Sequence, residues 1–154
     1  DALNIVRSTG EINNILINNT ISDGIDFDFS EISIKNAEIK NVKGDCIDLS
    51  FGKYIFENIR VNNCNDKGVS IGENSSVKIK DISISNNNTG LAIKDSSVVN
   101  IKNISQNYNN NICISLYNKK PEFSSGKLFY NNIPDNCIKN TLKDNNSKII
   151  KIVN

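Results

Sequence analysis

The chain alternates apolar and polar residues in short runs that return at a fixed interval. The segment GVSIGENSSVKIKDIS (residues 68–83) aligns with GLAIKDSSVVNIKNIS (residues 90–105), 22 positions later. Strict alternation predicts a β-strand with one buried face. A unit of three such strands and polar corners is too small to bury a core alone, so it must stack on copies of itself. The pattern therefore predicts a solenoid of parallel strands.

A polar residue marks the start of the third strand in each repeat. The marker positions, spaced by 22, 22, 23 and 22 residues, are Asn14, Asn36, Asn58, Asp81 and Asn103. Stacked coils lie about 4.8 Å apart, a separation at which side-chain amides can hydrogen-bond to one another as a ladder. We predict that these side chains stack in one corner.

Several segments carry a family resemblance. DALNIVRS, SDGIDFDFS, GDCIDLSFG, NDKGVSIGENS, LAIKDSS and LYNKKPEF resemble a group of bacterial β-helix repeat proteins of the pectate-lyase-like superfamily. The resemblance covers about residues 1–123. It implies an all-β, right-handed, single-stranded parallel β-helix with three strands per coil, and a bias toward polysaccharide ligands.

The repeat divides the chain into roughly six coils in one domain. Their expected ranges are 1–23, 24–43, 44–65, 66–87, 88–109 and 110–137, with a partial coil over 138–154. The segment YNKKPEFSSGK (residues 117–127) lengthens one coil, so the next marker is Asn132. Because a solenoid needs covered ends, we expect a neighbouring domain in a longer protein.

Composition limits the classes of partner that we expect the protein to bind. A net charge of +1 gives no overall electrostatic signature for nucleic acid, and no apolar run is long enough to span a membrane. The four cysteines, Cys46, Cys64, Cys113 and Cys137, lack metal-binding spacing. We expect them to be small buried thiols; the alternative, a disulfide, requires Cβ atoms about 4 Å apart.

Candidate chemistry concentrates on the first strand of each coil. Taking Phe27-Asp28-Phe29 and Ile47-Asp48-Leu49 as equivalent triplets places Asp28 directly beside Asp48. Adjacent like charges are unfavourable, so a Ca²⁺ ion, a nearby Lys or a shared proton should compensate them. The alternative is a polar, solvated strand face in which Lys67 pairs with Asp45. No other cofactor is indicated.

The absence of His excludes imidazole acid–base chemistry and leaves carboxylates, Lys, Tyr and Arg. If the protein is an enzyme, a lyase or glycoside hydrolase, the candidate catalytic residues are Asp28, Asp48, Lys67, Glu73, Lys94 and Asp95. The candidate ligand-binding residues are Asp26, Ser70, Phe51, Tyr117, Lys119, Lys120 and Glu122.

Three function classes remain open: a polysaccharide-processing enzyme, a carbohydrate-binding module, and a structural spacer or adhesin-type stalk. Clustered charges favour the first two over a stalk, and the short chain favours binding over catalysis. We therefore predict a bacterial module that binds or processes a polysaccharide or oligosaccharide along its first sheet. An extracellular or cell-envelope location suits that role.

Overall fold

The computed structural model describes residues 1–107 and 111–153 and shows a parallel β-solenoid of about seven coils. The strands of its first sheet are β1 (Leu3–Val6), β3 (Ile25–Asp28), β5 (Ile47–Ser50), β7 (Lys67–Gly72), β9 (Thr89–Lys94), β11 (Ile112–Tyr117) and β13 (Thr141–Lys143). The second sheet contains β2 (Thr9–Thr20), β4 (Glu31–Val42), β6 (Lys53–Cys64), β8 (Ser76–Ser85), β10 (Val98–Asn107), β12 (Lys127–Asn132) and β14 (Lys148–Lys151). One short helix, α1 (Asp135–Lys139), interrupts the sixth coil. The predicted boundary between residues 109 and 110 lies outside the described part.

The predicted second and third strands of a coil are continuous in hydrogen bonding. In β4 the alternation of burial breaks at Lys35 and Asn36, which are both exposed, so the strand bends there. One long strand thus forms two outer surfaces. We call the surface before the bend the second face and the surface after it the third face.

The marker residues stack as predicted, and their amides form a directional ladder. Asn36 Nδ2 donates to Asn14 Oδ1 at 3.0 Å, and Asn58 Nδ2 donates to Asn36 Oδ1 at 3.1 Å. Farther along, Asn132 donates to Asn103, and Asn103 donates to Asp81 Oδ1 at 2.7 Å. Each of these four links runs toward the N-terminal end of the solenoid, and the seven-residue lengthening before Asn132 does not disturb the ladder.

The interior consists of columns of Ile, Val and Leu, with a few aromatic rings. Ile34, Ile47 and Ile71 are fully buried, and so is Tyr54. The Tyr54 hydroxyl lies within 3.0 Å of the carbonyl oxygens of Phe27 and Ser50, and donating its one proton to either satisfies the polar atom that the ring brings into the core. The thin coils therefore have a core of branched aliphatic side chains.

The expectation of free thiols is wrong. Cys46 is bonded to Cys64, and Cys113 to Cys137, with Cα–Cα distances of 5.6 and 5.2 Å. The first bridge links the residue before β5 to the last residue of β6, and the second links α1 to β11. Each brings together side chains that are adjacent only after the coil has closed, which sequence spacing alone does not show.

Candidate functional site

The outer surface of the first sheet has a different register from the one predicted. Asp26, not Asp28, lies beside Asp48, and Asp28 lies beside Ser50. The equivalent triplets are therefore Ile25-Asp26-Phe27 and Ile47-Asp48-Leu49. Phe29 belongs to the following corner, where its φ is 50°. One outward column reads Asn4, Asp26, Asp48, Ser70, Ala92 and Ser115.

Three carboxylates lie together on the first coils of this surface. Asn4 Nδ2 donates to Asp26 Oδ2 at 2.9 Å. Burial, and then repulsion from Asp28 and Asp48, raises the pKa of Asp26 to about 6. Burial and the neighbouring Asp48 also raise the pKa of Asp28. The acidic cluster, which we define as Asp26, Asp28 and Asp48, therefore carries unbalanced negative charge.

Lys67 and Lys94 were predicted as catalytic groups, but the ammonium group of each is bonded to neighbouring side chains. Lys67 Nζ lies 3.5 Å from Asp45 Oδ1 and 2.5 Å from Asp66 Oδ2, so the predicted pairing with Asp45 is present. Lys94 Nζ donates to Ser70 Oγ at 2.8 Å. Lys94 is 7% exposed and Ser70 is fully buried. Neither lysine is placed as an open base for a lyase reaction.

A loop lies beside Lys94, at the corner that carries Asp95. Residues 118–126, which we call the strap, lie against the corner that follows the first sheet. Asp95 Oδ1 accepts from the backbone N–H groups of Lys119 and Lys120, at 2.7 and 2.9 Å. Lys120 Nζ lies 2.6 Å from Glu73 Oε1. Asp95 and Glu73 therefore hold the strap rather than face open solvent, and Asp95 is fully buried.

Hydrogen bonds to the Glu73 carboxylate favour its ionised form. Burial acts to raise its pKa, but hydrogen bonds from Lys120 and Ser50 outweigh burial and lower it. Glu122, in the same strap, is exposed, and so is Lys119. Of the candidates predicted to reach this side, Lys120 alone makes an ion pair with a first-sheet carboxylate among the described residues.

Aromatic residues form a short ladder at the corner beside the acidic cluster. The rings of Phe29 and Phe51 stack with centroids 4.7 Å apart, and Phe123 of the strap meets Phe51 edge-on at 6.0 Å. Arg7 lies over the outer face of Phe29, 5.2 Å from its centroid. Phe51 was predicted as a ligand contact, whereas Phe29 was missed because it was assigned to a buried triplet. Tyr117 is half-buried at the covered end of the sheet.

Among residues 1–107 and 111–153, no group of three or more Asp, Glu, Cys or His side chains is arranged to hold a metal ion. The geometry therefore gives the Ca²⁺ hypothesis no support. Its original basis, Asp28 directly opposite Asp48, is also replaced by the corrected register.

The third face carries a groove of about 760 Å³, which runs over five coils beside the marker ladder. Glu38 and Arg60 are register neighbours there, as predicted, but the ion pair of Glu38 is with Lys40, at 2.7 Å. We treat this face as solvated, since its outward side chains, among them Leu16, Glu38 and Arg60, are exposed or half-buried.

Comparisons with known proteins identify the fold family. A family model described as a right-handed β-helix region matches residues 1–154. Searches of curated proteins and of solved structures gave no significant match. In the described part of the chain, no helix has the length and apolar character needed to cross a membrane. On its repeat, its coil and this match, the chain belongs to the right-handed β-helix family.

Proposed function

We propose that the protein is a carbohydrate-binding module that takes a glycan along the first sheet. The observation that carries the proposal is the half-exposed acidic cluster on the second and third coils. One outward column, Asn4, Asp26 and Asp48, has a side chain that accepts hydrogen bonds on each of the first three coils, and Asp28 and Ser50 lie beside it on the second and third. Sugar hydroxyls are donors to such carboxylates, and a flat sheet presents them in a line about 10 Å long, which suits two sugar units.

The corrected geometry favours binding over processing. A lyase requires a free base beside a group that neutralises a uronate. Lys67 and Lys94 are engaged with Asp66 and Ser70, and Lys120 is paired with Glu73. The unbalanced carboxylates would also repel a uronate chain. A neutral or amino-bearing glycan therefore suits this surface best.

Two disulfides support a location outside the reducing cytosol, because such bonds persist in oxidising compartments. An extracellular or cell-envelope site is also where structural glycans are accessible. Both points agree with a module that recognises a glycan surface.

The test is binding to an array of neutral, amino-bearing and uronate-bearing oligosaccharides, followed by calorimetry on the best binder. We expect Asp48→Asn to weaken that binding at least about tenfold, because it removes a charge-assisted acceptor. Glu11→Gln, an exposed acid on the second face at the first coil, is the matched control and should bind like the wild type.

Two results would overturn the proposal. Equal affinity in both variants would show that the acidic cluster does not contact the glycan. Absence of binding to every glycan class would favour the spacer or stalk, whose acidic residues would affect stability alone. Release of new sugar ends during the assay would instead show processing.

A further inference from the structure

The second face has a strong positive charge that the net charge of +1 conceals. Its strand residues after the third coil, 76–80, 98–102, 127–131 and 148–151, contain no Asp or Glu. They contain five exposed lysines at outward positions, which we call the basic strip: Lys78, Lys80, Lys102, Lys127 and Lys148. The strip spans four coils, about 14 Å.

The lysines of the basic strip have no carboxylate partner within ion-pair distance among the described residues. The contrast is with Lys53 on the same face, whose Nζ lies 3.1 Å from Glu31 Oε1. Lys127 and Lys148 are direct register neighbours. Like charges at this separation repel one another, so an anion between them would be stabilising.

A groove of about 460 Å³ follows the strip and gives it the shape of a binding site. Lys78, Lys80 and Lys102 line it, together with the amide of Asn100, the exposed side chain of Ile55 and one carboxylate, Glu57, at its third-coil end. The groove crosses five coils, from Ile55 to Ile152, so its length suits an extended chain. The amide and the aliphatic surface suit the hydroxyl groups and C–H faces of sugar rings.

The type of basic residue in the strip indicates which anionic groups of a ligand suit it. The strip contains lysine and no arginine. Arginine pairs through two parallel hydrogen bonds with carboxylates and phosphates alike, whereas lysine is a point charge that needs no planar partner and accommodates the tetrahedral oxyanions of sulfate and phosphodiester groups. Single-stranded nucleic acid would in addition require a series of aromatic platforms, and among the outward residues of these four strands only Phe129, which is half-buried, is aromatic.

We propose that the basic strip binds an anionic glycan whose charge comes from sulfate or phosphodiester groups. The site is separate from the acidic cluster, lies on another sheet and does not depend on the glycan binding proposed for the first sheet. A chain laid along the solenoid axis would place successive oxyanions near lysines on successive coils. The module would then bind two chemically different glycans on two surfaces.

The test measures binding of two probes, heparin for sulfate and poly(glycerol phosphate) for phosphodiester, at about 50 and 200 mM salt. The variant replaces Lys78, Lys80 and Lys102 with Gln. Its control replaces Lys43, Lys139 and Lys143 with Gln, which removes the same charge from exposed positions elsewhere. We expect the first variant to lose at least about tenfold in affinity and to show a shallower salt dependence, with the control within about threefold of the wild type.

The proposal is overturned if both variants lose affinity equally, because net charge alone would then explain binding. It is also overturned if neither probe binds at 50 mM salt, or if single-stranded DNA or anionic vesicles bind more tightly than both probes. Asp48→Asn should leave binding of these probes intact or improve it. Failure here and failure on the first sheet are therefore separate results.

Discussion

At the scale of single residues, the marker ladder shows how replacing one amide with a carboxylate interrupts a repeated chain of hydrogen bonds. Each asparagine donates from Nδ2 to the marker of the preceding coil. Asp81 occupies the fourth marker position and has no N–H to donate to Asn58, its register neighbour. The ladder is therefore interrupted between the third and fourth coils, where two acceptors face each other.

Asp81→Asn should repair this interruption. It supplies a donor for Asn58 Oδ1 and keeps an acceptor for Asn103, so we expect the free energy of unfolding to rise by about 0.5–1 kcal/mol. Urea unfolding would measure the change. Asp135→Asn, at an exposed position in α1, is the control; a gain of the same size there would show that charge removal, not the ladder, is responsible.

A second prediction concerns pH and Asp26. Its pKa is about 6 in the folded protein and 3.8 as a free group, so the folded state holds the proton more tightly than the unfolded chain. Stability should therefore rise as pH falls from 7 toward 4, and the gain is lost as pH rises through 6. Asp26→Asn should be more stable than the wild type at pH 7 and indistinguishable from it below about pH 4.

Thermal unfolding between pH 4 and 8 would measure this difference. Asp144 provides an internal contrast. Burial acts to raise its pKa, but hydrogen bonds from Ser125 and Ser147 outweigh burial and lower it to about 2. The stability from Asp144 is therefore present above about pH 4 and is lost as pH falls toward 2. A wild-type minus Asp26→Asn difference that does not vary with pH would contradict the assigned shift.

At the scale of elements, the strap is the longest connection between strands in the described part of the chain, and its hold on the first sheet can be tested. Asp95→Ala removes the acceptor of the Lys119 and Lys120 amides. We expect faster hydrogen exchange across residues 118–126 with the strands of the first sheet still protected, because those strands pair with one another, while the strap bonds to the corner at Ser96 and to Lys148 of the second sheet. Asp95→Asn retains an acceptor oxygen and should exchange more slowly than Asp95→Ala.

Glu122→Ala, an exposed change in the same strap, is the control. Exchange rates alike in Asp95→Ala and Glu122→Ala would show that Asp95 does not anchor the strap. Exchange that also increases in β9 would show that Asp95 supports the sheet itself.

The arrangement of the strands also explains why the sequence predicted their stacking better than it predicted the acidic cluster. The marker column and the Val-x-Ile runs recur every 22 residues, so they fix which strands stack. In the second coil, Ile25-Asp26-Phe27 and Phe27-Asp28-Phe29 both alternate correctly. Nothing local separates them until Phe29 is seen in a left-handed corner. A shift of two residues preserves the buried face and moves every outward neighbour, so the acidic cluster was predicted with the wrong pair.

Across the whole molecule, charge is separated although the total is nearly zero. The acidic cluster lies on the first sheet and the basic strip on the second face. Composition reports only the sum, so it does not show how charge is distributed among the faces. Assigning each charge to a face requires the bend in the long strands, which in β4 lies at Lys35 and Asn36, at the corner that the marker column predicted.

The strap also shows where the chain tolerates additional residues. Seven additional residues enter between Asn103 and Asn132, yet the amide link between those two markers is kept and β10 still pairs with β12 residue for residue. The corner after the first sheet therefore absorbs a change of length without cost to the neighbouring sheets. Foreign peptides grafted at residues 118–126 would be displayed at a fixed height on a rigid rod, which makes this corner a natural point for diversification or design.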